Sequence, residues 1–366
     1  MGPENENPQN IKNRRIFYLK EGTDFNRCSR ELKNRGILPI EYLPHLGMVI
    51  GESVNHQLWV DNHPYVEHAE PDIRVNITEP SYRGSTYAVK PTFPWGVERI
   101  GAPMVWTKVK GQGIRIAVID TGIDASHPAI YRNYKGGINI LARSFPPMDY
   151  NGHGTHVAGI IAGRSRNAGL LGVAPWASLY AVKAFNKNGS ANLSDLLSAI
   201  NWCIENKIHV INMSFGMEMV SESLKKAIMI AHRKKIVMVA ATGNQGLKNT
   251  IDFPARFPET IAVTSIGVNN RISSFGNRGK GVDIAAPGEK IPSAWLGQTT
   301  KEMSGTSMAV PHVSGTIALM LQLNPNLNPE QIRYLLLYTG NKIDREFIRT
   351  VNTDRAIRYL LKNRRK

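Results

Sequence analysis

IRIAVIDTGID, residues 114–124, sets five apolar residues and one arginine ahead of an acid and a Thr-Gly turn. A strand that is apolar on successive rather than alternate residues belongs to a parallel sheet covered on both faces. Asp120 ends that strand, and open α/β sheets collect their functional groups at the carboxyl ends of strands. Two other segments extend the reading. In NGHGTHVAGI, residues 151–160, His153 follows Asn151-Gly152 and opens an apolar run whose small residues let a helix pack closely. In GTSMAVPHVSG, residues 305–315, Ser307 opens a further apolar stretch. That places its hydroxyl and amide at a helix N-terminus, where backbone N–H groups favour negative charge.

A serine hydroxyl is a poor nucleophile at neutral pH. It needs an imidazole to take its proton and a carboxylate to orient that imidazole. Taken singly, an Asp after a strand, a His beside Gly and a Ser before a helix are ordinary turn and cap residues; together they form a nucleophilic constellation of Asp120, His153 and Ser307. IVMVAATGNQG, residues 236–246, adds Asn244 at the end of another apolar strand. Its side-chain amide and the Ser307 backbone amide would supply the two donors a tetrahedral oxyanion requires. A metal reading of the His153/His156 pair fails, because the zincin pattern needs histidines four apart with a Glu between them. His156 and His312 are expected in the core as satisfied polar residues.

The three segments, in the chain order Asp, His, Ser, resemble the signatures of the subtilisin-like serine protease family, and the likeness keeps register from about residue 90 to about residue 340. The resemblance implies a serine endopeptidase with polypeptide substrates and a three-layer α/β domain built on a mostly parallel sheet. It implies that Ser214-Phe215-Gly216 and Gly189-Ser190-Ala191 are rails holding the substrate backbone as an added strand. Leu193, Leu196 and Phe215 would line an apolar pocket for the fourth residue upstream of cleavage. Counting back from Phe253-Pro254 puts Asp252 at the bottom of the primary specificity pocket, the alternative being a solvent-facing turn residue. The family's strong calcium site falls at Ala129 and Arg166, a methyl group and a cation where oxygen donors are needed. No cofactor is therefore expected, with weak ion sites elsewhere left open.

A chain of 366 residues with 42% hydrophobic content exceeds one average domain. Strands near 114–120, 179–185, 209–215, 236–242 and 260–266 alternate with helices near 156–163, 192–206, 221–235, 307–324 and 329–338, which argues a parallel sheet with helices on both faces. Four regions follow: a polar, disordered 1–14; a small α+β domain at 15–77; a Pro/Gly/Ser-rich linker at 78–92; and the catalytic domain at 93–366. In 15–77, RIFYLK, TDFNRCSRELKNRG, ILPIEYL, LGMVIGE, a helical piece around VNHQLWVDN and a last strand VEHAEPDIRVN suggest a ferredoxin-like βαββαβ order. This resembles the family's propeptide, which implies an intramolecular inhibitor whose tail lies in the cleft and a self-processing precursor. The expected junction lies between about residues 80 and 92, near Val89-Lys90.

The formal charge of +16 fits a solvated basic surface, since no nucleic-acid motif accompanies it and no specific nucleic-acid partner is expected. Two cysteines, Cys28 and Cys203, fall in different domains and suggest no disulfide. No leader-like or membrane-length apolar run stands out, so the expectation is a cytoplasmic protein without a membrane partner, with export by another route left open. The oligomeric state is not legible. Two rival functions remain at this stage: a catalytically silent binding or chaperone-like relative, and an esterase or acyl hydrolase using the same triad on small substrates.

Overall fold

The computed structural model describes residues 13–53, 63–77, 82–87, 94–165, 170–343 and 347–363. The first domain contains β1 (Arg14–Leu19), α1 (Phe25–Asn34), β2 (Ile37–Leu43), β3 (Met48–Ser53) and β4 (Val66–Pro71). Its four antiparallel strands lie in the order β2-β3-β1-β4. Alternation along β1 sends Phe17 and Leu19 to one face, where α1 covers them with Cys28 and Leu32, while Ile16 and Tyr18 face the rest of the protein. Arg14, assigned by sequence to a disordered terminus, is the first residue of β1 and pairs with Glu52. Residues 1–12 and the whole VNHQLWVDN piece, residues 54–62, lie outside the described residues.

The segment VEHAEPDIRVN does not make one strand. It breaks at Asp72-Ile73, and β5 (Arg74–Ile77) enters a different sheet. Nor is 78–92 only a linker, because β6 (Tyr82–Tyr87) forms the edge of another small sheet.

The catalytic domain opens with α2 (Trp95–Arg99) and β7 (Arg115–Asp120). It continues through β8 (Tyr134–Asn139), α3 (His153–Ala162), β9 (Arg164–Ser165), β10 (Leu170–Leu171) and β11 (Ser178–Lys183). Then come β12 (Ser190–Asn192), α4 (Leu193–Glu205), β13 (Val210–Met213), β14 (Phe215–Gly216), α5 (Glu222–Arg233), β15 (Val237–Ala241) and β16 (Thr260–Ile266). The chain ends through β17 (Ile284–Pro287), β18 (Ile291–Trp295), β19 (Thr299–Ser304), α6 (Thr306–Leu323), α7 (Pro329–Thr339), β20 (Asn341–Lys342), β21 (Arg349–Thr350) and α8 (Thr353–Asn363). The expected strand 209–215 stops at Met213, and Phe215-Gly216 leaves the main sheet to pair with β5.

Nine strands form the central sheet in the order β20-β21-β17-β16-β15-β13-β7-β11-β8, parallel at every neighbouring pair except β20 with β21. Successive residues of β7 explain why the run at 114–120 is apolar throughout. Ile116 and Val118 join the core containing α3 and α6, and Ala117 and Ile119 join the core containing α4 and α5. The second of these cores also takes in Ile16, Tyr18, Met48 and Ile50 of the first domain, so α4 and α5 lie between two sheets. That double cover is why eleven of the thirteen residues of α4 are buried.

Helix α6 crosses under the sheet against α3, and the small residues make the crossing possible. A methyl group added at Gly315 would lie 2.5 Å from Val173 Cβ and 3.3 Å from Ile161 O. Overpacking of this kind costs about 1–3 kcal/mol. In a Ser307→Ala background, which prevents self-digestion, Gly315→Ala should lower the thermal midpoint by about 3–10 °C. An unchanged midpoint in calorimetry would show that α3 and α6 separate without cost.

Candidate active site

Asp120 and His153 meet at the carboxyl end of the parallel sheet. His153 Nδ1 lies 2.7 Å from Asp120 Oδ1, which also accepts the Thr121 N–H at 2.8 Å. Both side chains are buried. The turn before α3 is organised by a residue the sequence reading passed over. Asp149 Oδ1 accepts from the N–H groups of Asn151 and Gly152 and from the Thr121 hydroxyl, all at 2.9 Å. Its Oδ2 accepts from the backbone and hydroxyl of Thr155 at 2.9 and 2.7 Å. Five donors on one buried carboxylate fix the first turn of α3, and with it the ring of His153. An Asp two residues before Asn-Gly was the available sequence signal.

Ser307 is the second residue of α6, and its hydroxyl donates to Ser214 O at 3.2 Å. His153 Nε2 is buried without a hydrogen-bond partner. Pro311, four residues after Ser307, lacks the N–H that would normally close a helical bond to the Ser307 carbonyl. The Ser214 hydroxyl fills the vacancy at 3.1 Å, and Asn212 and Ser314 carry the link inward at 3.0 and 2.9 Å. Asn212 and Ser314 were not anticipated, although an Asn inside the apolar VINM of β13 was a signal. Asn244 stands beside this helix start, its Oδ1 accepting from the backbone and hydroxyl of Thr306, both at 2.9 Å.

The two segments expected as rails flank the chain's own β5. Ile77 pairs with Phe215 and Asn76 with Gly216 on one side; Asn76 pairs with Ser190, Val75 with Ala191 and Arg74 with Asn192 on the other. Ile77 N–H donates to Gly189 O at 2.9 Å. Val75, 1% exposed, shares a hydrophobic cluster with Leu193, Leu196 and Phe215. Two carboxylates from the first domain dock on helix N-termini. Asp72 accepts from the backbone and hydroxyl of Ser194 at 2.9 and 2.6 Å, and Glu70 from the hydroxyl of Ser221 and the backbone of Ser223 at 2.8 and 2.9 Å. These helix ends present unpaired N–H groups and positive potential, which is what a carboxylate satisfies.

Asp252 is not a solvent-facing turn residue. It is 4% exposed, and its side chain lies against Gly216 and Gly243. Ala129 is buried, and Arg166 lies outside the described residues.

The subtilase family profile matches residues 111–355. Subtilisin Savinase of Lederbergia lenta is 41% identical over 251 residues, 68% of this chain and 92% of the relative. Subtilisin E of Bacillus subtilis is 39% identical over 287 residues, 77% of this chain and 74% of the relative. An alkaline protease of Shouchella clausii is 41% identical, and the match spans 65% of that protein, just under two thirds. The chain belongs to the subtilase family. It is a serine endopeptidase by that membership, and the mostly parallel sheet beneath the site is the one the family requires.

In this subtilase the two core histidines stay neutral. His156 Nε2 meets Ile291 O and Lys301 O, each at 3.0 Å, and His312 Nδ1 meets Met308 O at 2.9 Å. Each leaves its other ring nitrogen without a partner. Burial pushes His156 down to about 3 and His312 to about 4. For His156 the unfolded chain gains a proton below about 6.5 while the folded chain does not, so stability is lost as pH falls from 6.5 towards 3, at about 1.4 kcal/mol per pH unit. Gln cannot titrate. In the Ser307→Ala background, the stability advantage of the parent over His156→Gln should shrink by about 2 kcal/mol between pH 7 and pH 5. Urea unfolding at the two pH values measures this, and a pH-independent gap would contradict it.

Proposed function

We propose that this chain is the self-inhibited precursor of an endopeptidase whose chemistry is carried by Asp120, His153 and Ser307. Ser307 Oγ attacks the scissile carbonyl, and His153 Nε2 takes the hydroxyl proton. Asp120, through Nδ1–H, holds the ring and stabilises the imidazolium that forms. The negative oxygen of the tetrahedral intermediate is received by the Ser307 backbone amide and by the amide of Asn244, whose acceptor end is already committed to Thr306. The imidazolium then protonates the departing amine, leaving an acyl-serine that water, deprotonated by the same imidazole, hydrolyses.

The observation that carries the proposal is β5 seated between β12 and β14. Backbone pairing on both sides, with Val75 beside Leu193 and Leu196, is how an extended polypeptide would be held for cleavage. A cleft that takes a strand of four residues favours peptides over small esters. A silent binding relative would have no need for a buried imidazole oriented by Asp120 whose second ring nitrogen has no hydrogen-bond partner. The same seating supports the first domain as an intramolecular inhibitor, because a substrate cannot pair with strands already paired. Anchoring by Asp72 and Glu70 strengthens that competition.

Wild-type protein should cut itself after Ile77 and before Pro94, and Ser307→Ala should remain intact at 40.6 kDa, folded and unable to hydrolyse peptides. Val89-Lys90 lies outside the described residues; the register of β5 favours the N-terminal end of this interval. Mass analysis of the two proteins decides the matter, and self-cleavage by Ser307→Ala would overturn the mechanism.

Loss of the strong calcium site belongs to the same proposal. Ala129 contributes a methyl where the family uses a carboxylate, and its N–H is taken by His127 Nδ1 at 3.1 Å. Excess EDTA should therefore shift the thermal midpoint of Ser307→Ala by less than about 2 °C, whereas a tightly bound ion at 1,000 times its Kd would contribute about 4 kcal/mol. A fall of about 10 °C or more would restore the site.

A further inference from the structure

The positive charge of the chain is unevenly spread. Residues 1–77 hold nine basic and eleven acidic side chains, so the whole excess lies in residues 78–366, with 36 basic and 18 acidic. Part of it gathers at the amino ends of the central strands, the pole opposite the catalytic site. The six residues of β7 put about 17 Å between Arg115 at this pole and Asp120 at the other.

Two helix ends of the same design reach this pole. Asn206 caps α4 and Lys234 caps α5, and the next residue in each case is a lysine in the left-handed region, Lys207 with φ 51° and Lys235 with φ 63°. The N–H groups that follow close both turns alike, Ile208 on Cys203 O at 3.0 Å and Ile236 on Ala231 O at 3.2 Å. Glycine usually takes this position, because a Cβ there is costly. The helix dipole favours a cation at a carboxyl end, but it would favour one in the last turn at ordinary backbone angles equally well.

These lysines have basic neighbours. β13 pairs with β7 on one side and with β15 on the other, so Arg115, Lys207 and Lys235 stand on or just before three adjacent strands that span about 10 Å. Arg115 is held in place, its Nε donating to Lys207 O at 2.9 Å and its Nη2 lying 3.4 Å from His209 Nε2. Arg233 and Lys234 extend the row at the end of α5, and all five except the half-buried Arg115 are exposed. None of the ion pairs among the described residues includes any of the five. Glu205, exposed in the last turn of α4, offsets one charge at most. On the far side of Arg115, β11 begins at Ser178, and two residues before it stands Trp176, 40% exposed, with Lys110 Nζ 4.4 Å and Arg164 Cζ 5.2 Å from its ring centre.

We propose that this pole binds single-stranded nucleic acid through the phosphate backbone, without sequence preference, and so tethers the enzyme with its cleft facing away. Five neighbouring cations without ion pairs repel one another, and a chain of phosphates relieves that repulsion while releasing its own counterions. The exposed indole at the end of the row gives a base a face to stack on. A sulfated polysaccharide would be drawn by the charge alone and gain nothing from Trp176.

The test titrates the Ser307→Ala precursor onto a fluorescein-labelled oligodeoxythymidine strand of about twenty nucleotides, read by fluorescence anisotropy between 50 and 200 mM NaCl. Five phosphate contacts give a log–log salt slope of about −3.5, a loss of about a hundredfold over that range. The decisive variant is Lys207→Gly with Lys235→Gly, which removes two charges and gives both helix ends the residue that suits their backbone, so it should fold. Its slope should fall to about −2, and its affinity at 100 mM salt by at least about tenfold. Lys290→Glu with Arg355→Glu changes net charge twice as much at exposed positions following the carboxyl ends of β17 and β21, and should keep the parent's slope. Parent-like binding by the glycine pair overturns the site, and so does an equal loss in the Lys290/Arg355 pair, which would reveal attraction to overall charge. Trp176→Ala should weaken the strand at least about fivefold and leave a heparin fragment of matched charge unaffected. A heparin fragment bound as tightly as the strand, with Trp176→Ala inert on both, would overturn the nucleic-acid assignment in favour of polyanions in general. Absence of binding at 50 mM salt would overturn it outright.

Discussion

A helix buried on nearly every side leaves the chain almost no freedom in where its first turn begins, and α6 is such a helix. Of its eighteen residues only Gln322 is not buried. Polar side chains inside it are held by specific neighbours, with His312 Nε2 an exception. Ser314 bonds Asn212, Thr316 bonds Thr353, and His312 bonds the helix itself. Pro311 adds the decisive asymmetry. By withholding one N–H it turns the Ser307 carbonyl into an acceptor for Ser214, so the backbone and hydroxyl of Ser307 are both tied to the segment that pairs with β5. Core packing and the position of the reactive oxygen are thus one constraint, which is why the site tolerates little slack.

The same economy governs the docking of the first domain. Its sheet does not approach the cleft directly; it rests on α4 and α5, whose outer faces would otherwise expose apolar surface. Asp72 and Glu70 settle on the amino ends of those helices, and the two residues after Asp72 carry the chain onto the rails. Apolar burial sets the strength of the contact, and the two carboxylates set its register. Since helix ends and the strands flanking β5 belong to one domain, a shift at either carboxylate would move β5 along the cleft.

Legibility in the sequence followed burial and periodicity. The strand ending at Asp120, the helix opening at His153 and the helix opening at Ser307 were readable because each couples an apolar run to a turn residue. Five helices of the catalytic domain, α3 to α7, were placed within three residues of their observed starts for the same reason, while α2 and α8 were not anticipated. β8, with two glycines and a lysine, and the two-residue strands β20 and β21 carry no apolar period, so they are defined only by their partners. β6 is of this kind too, a strand only because β19 offers an edge. The break of VEHAEPDIRVN at Asp72 was illegible because the demand for an acid there comes from Ser194, 122 positions away. Asp149 and Asn212 were missed for a related reason: a short polar residue that gathers distant donors looks locally like any turn or strand residue.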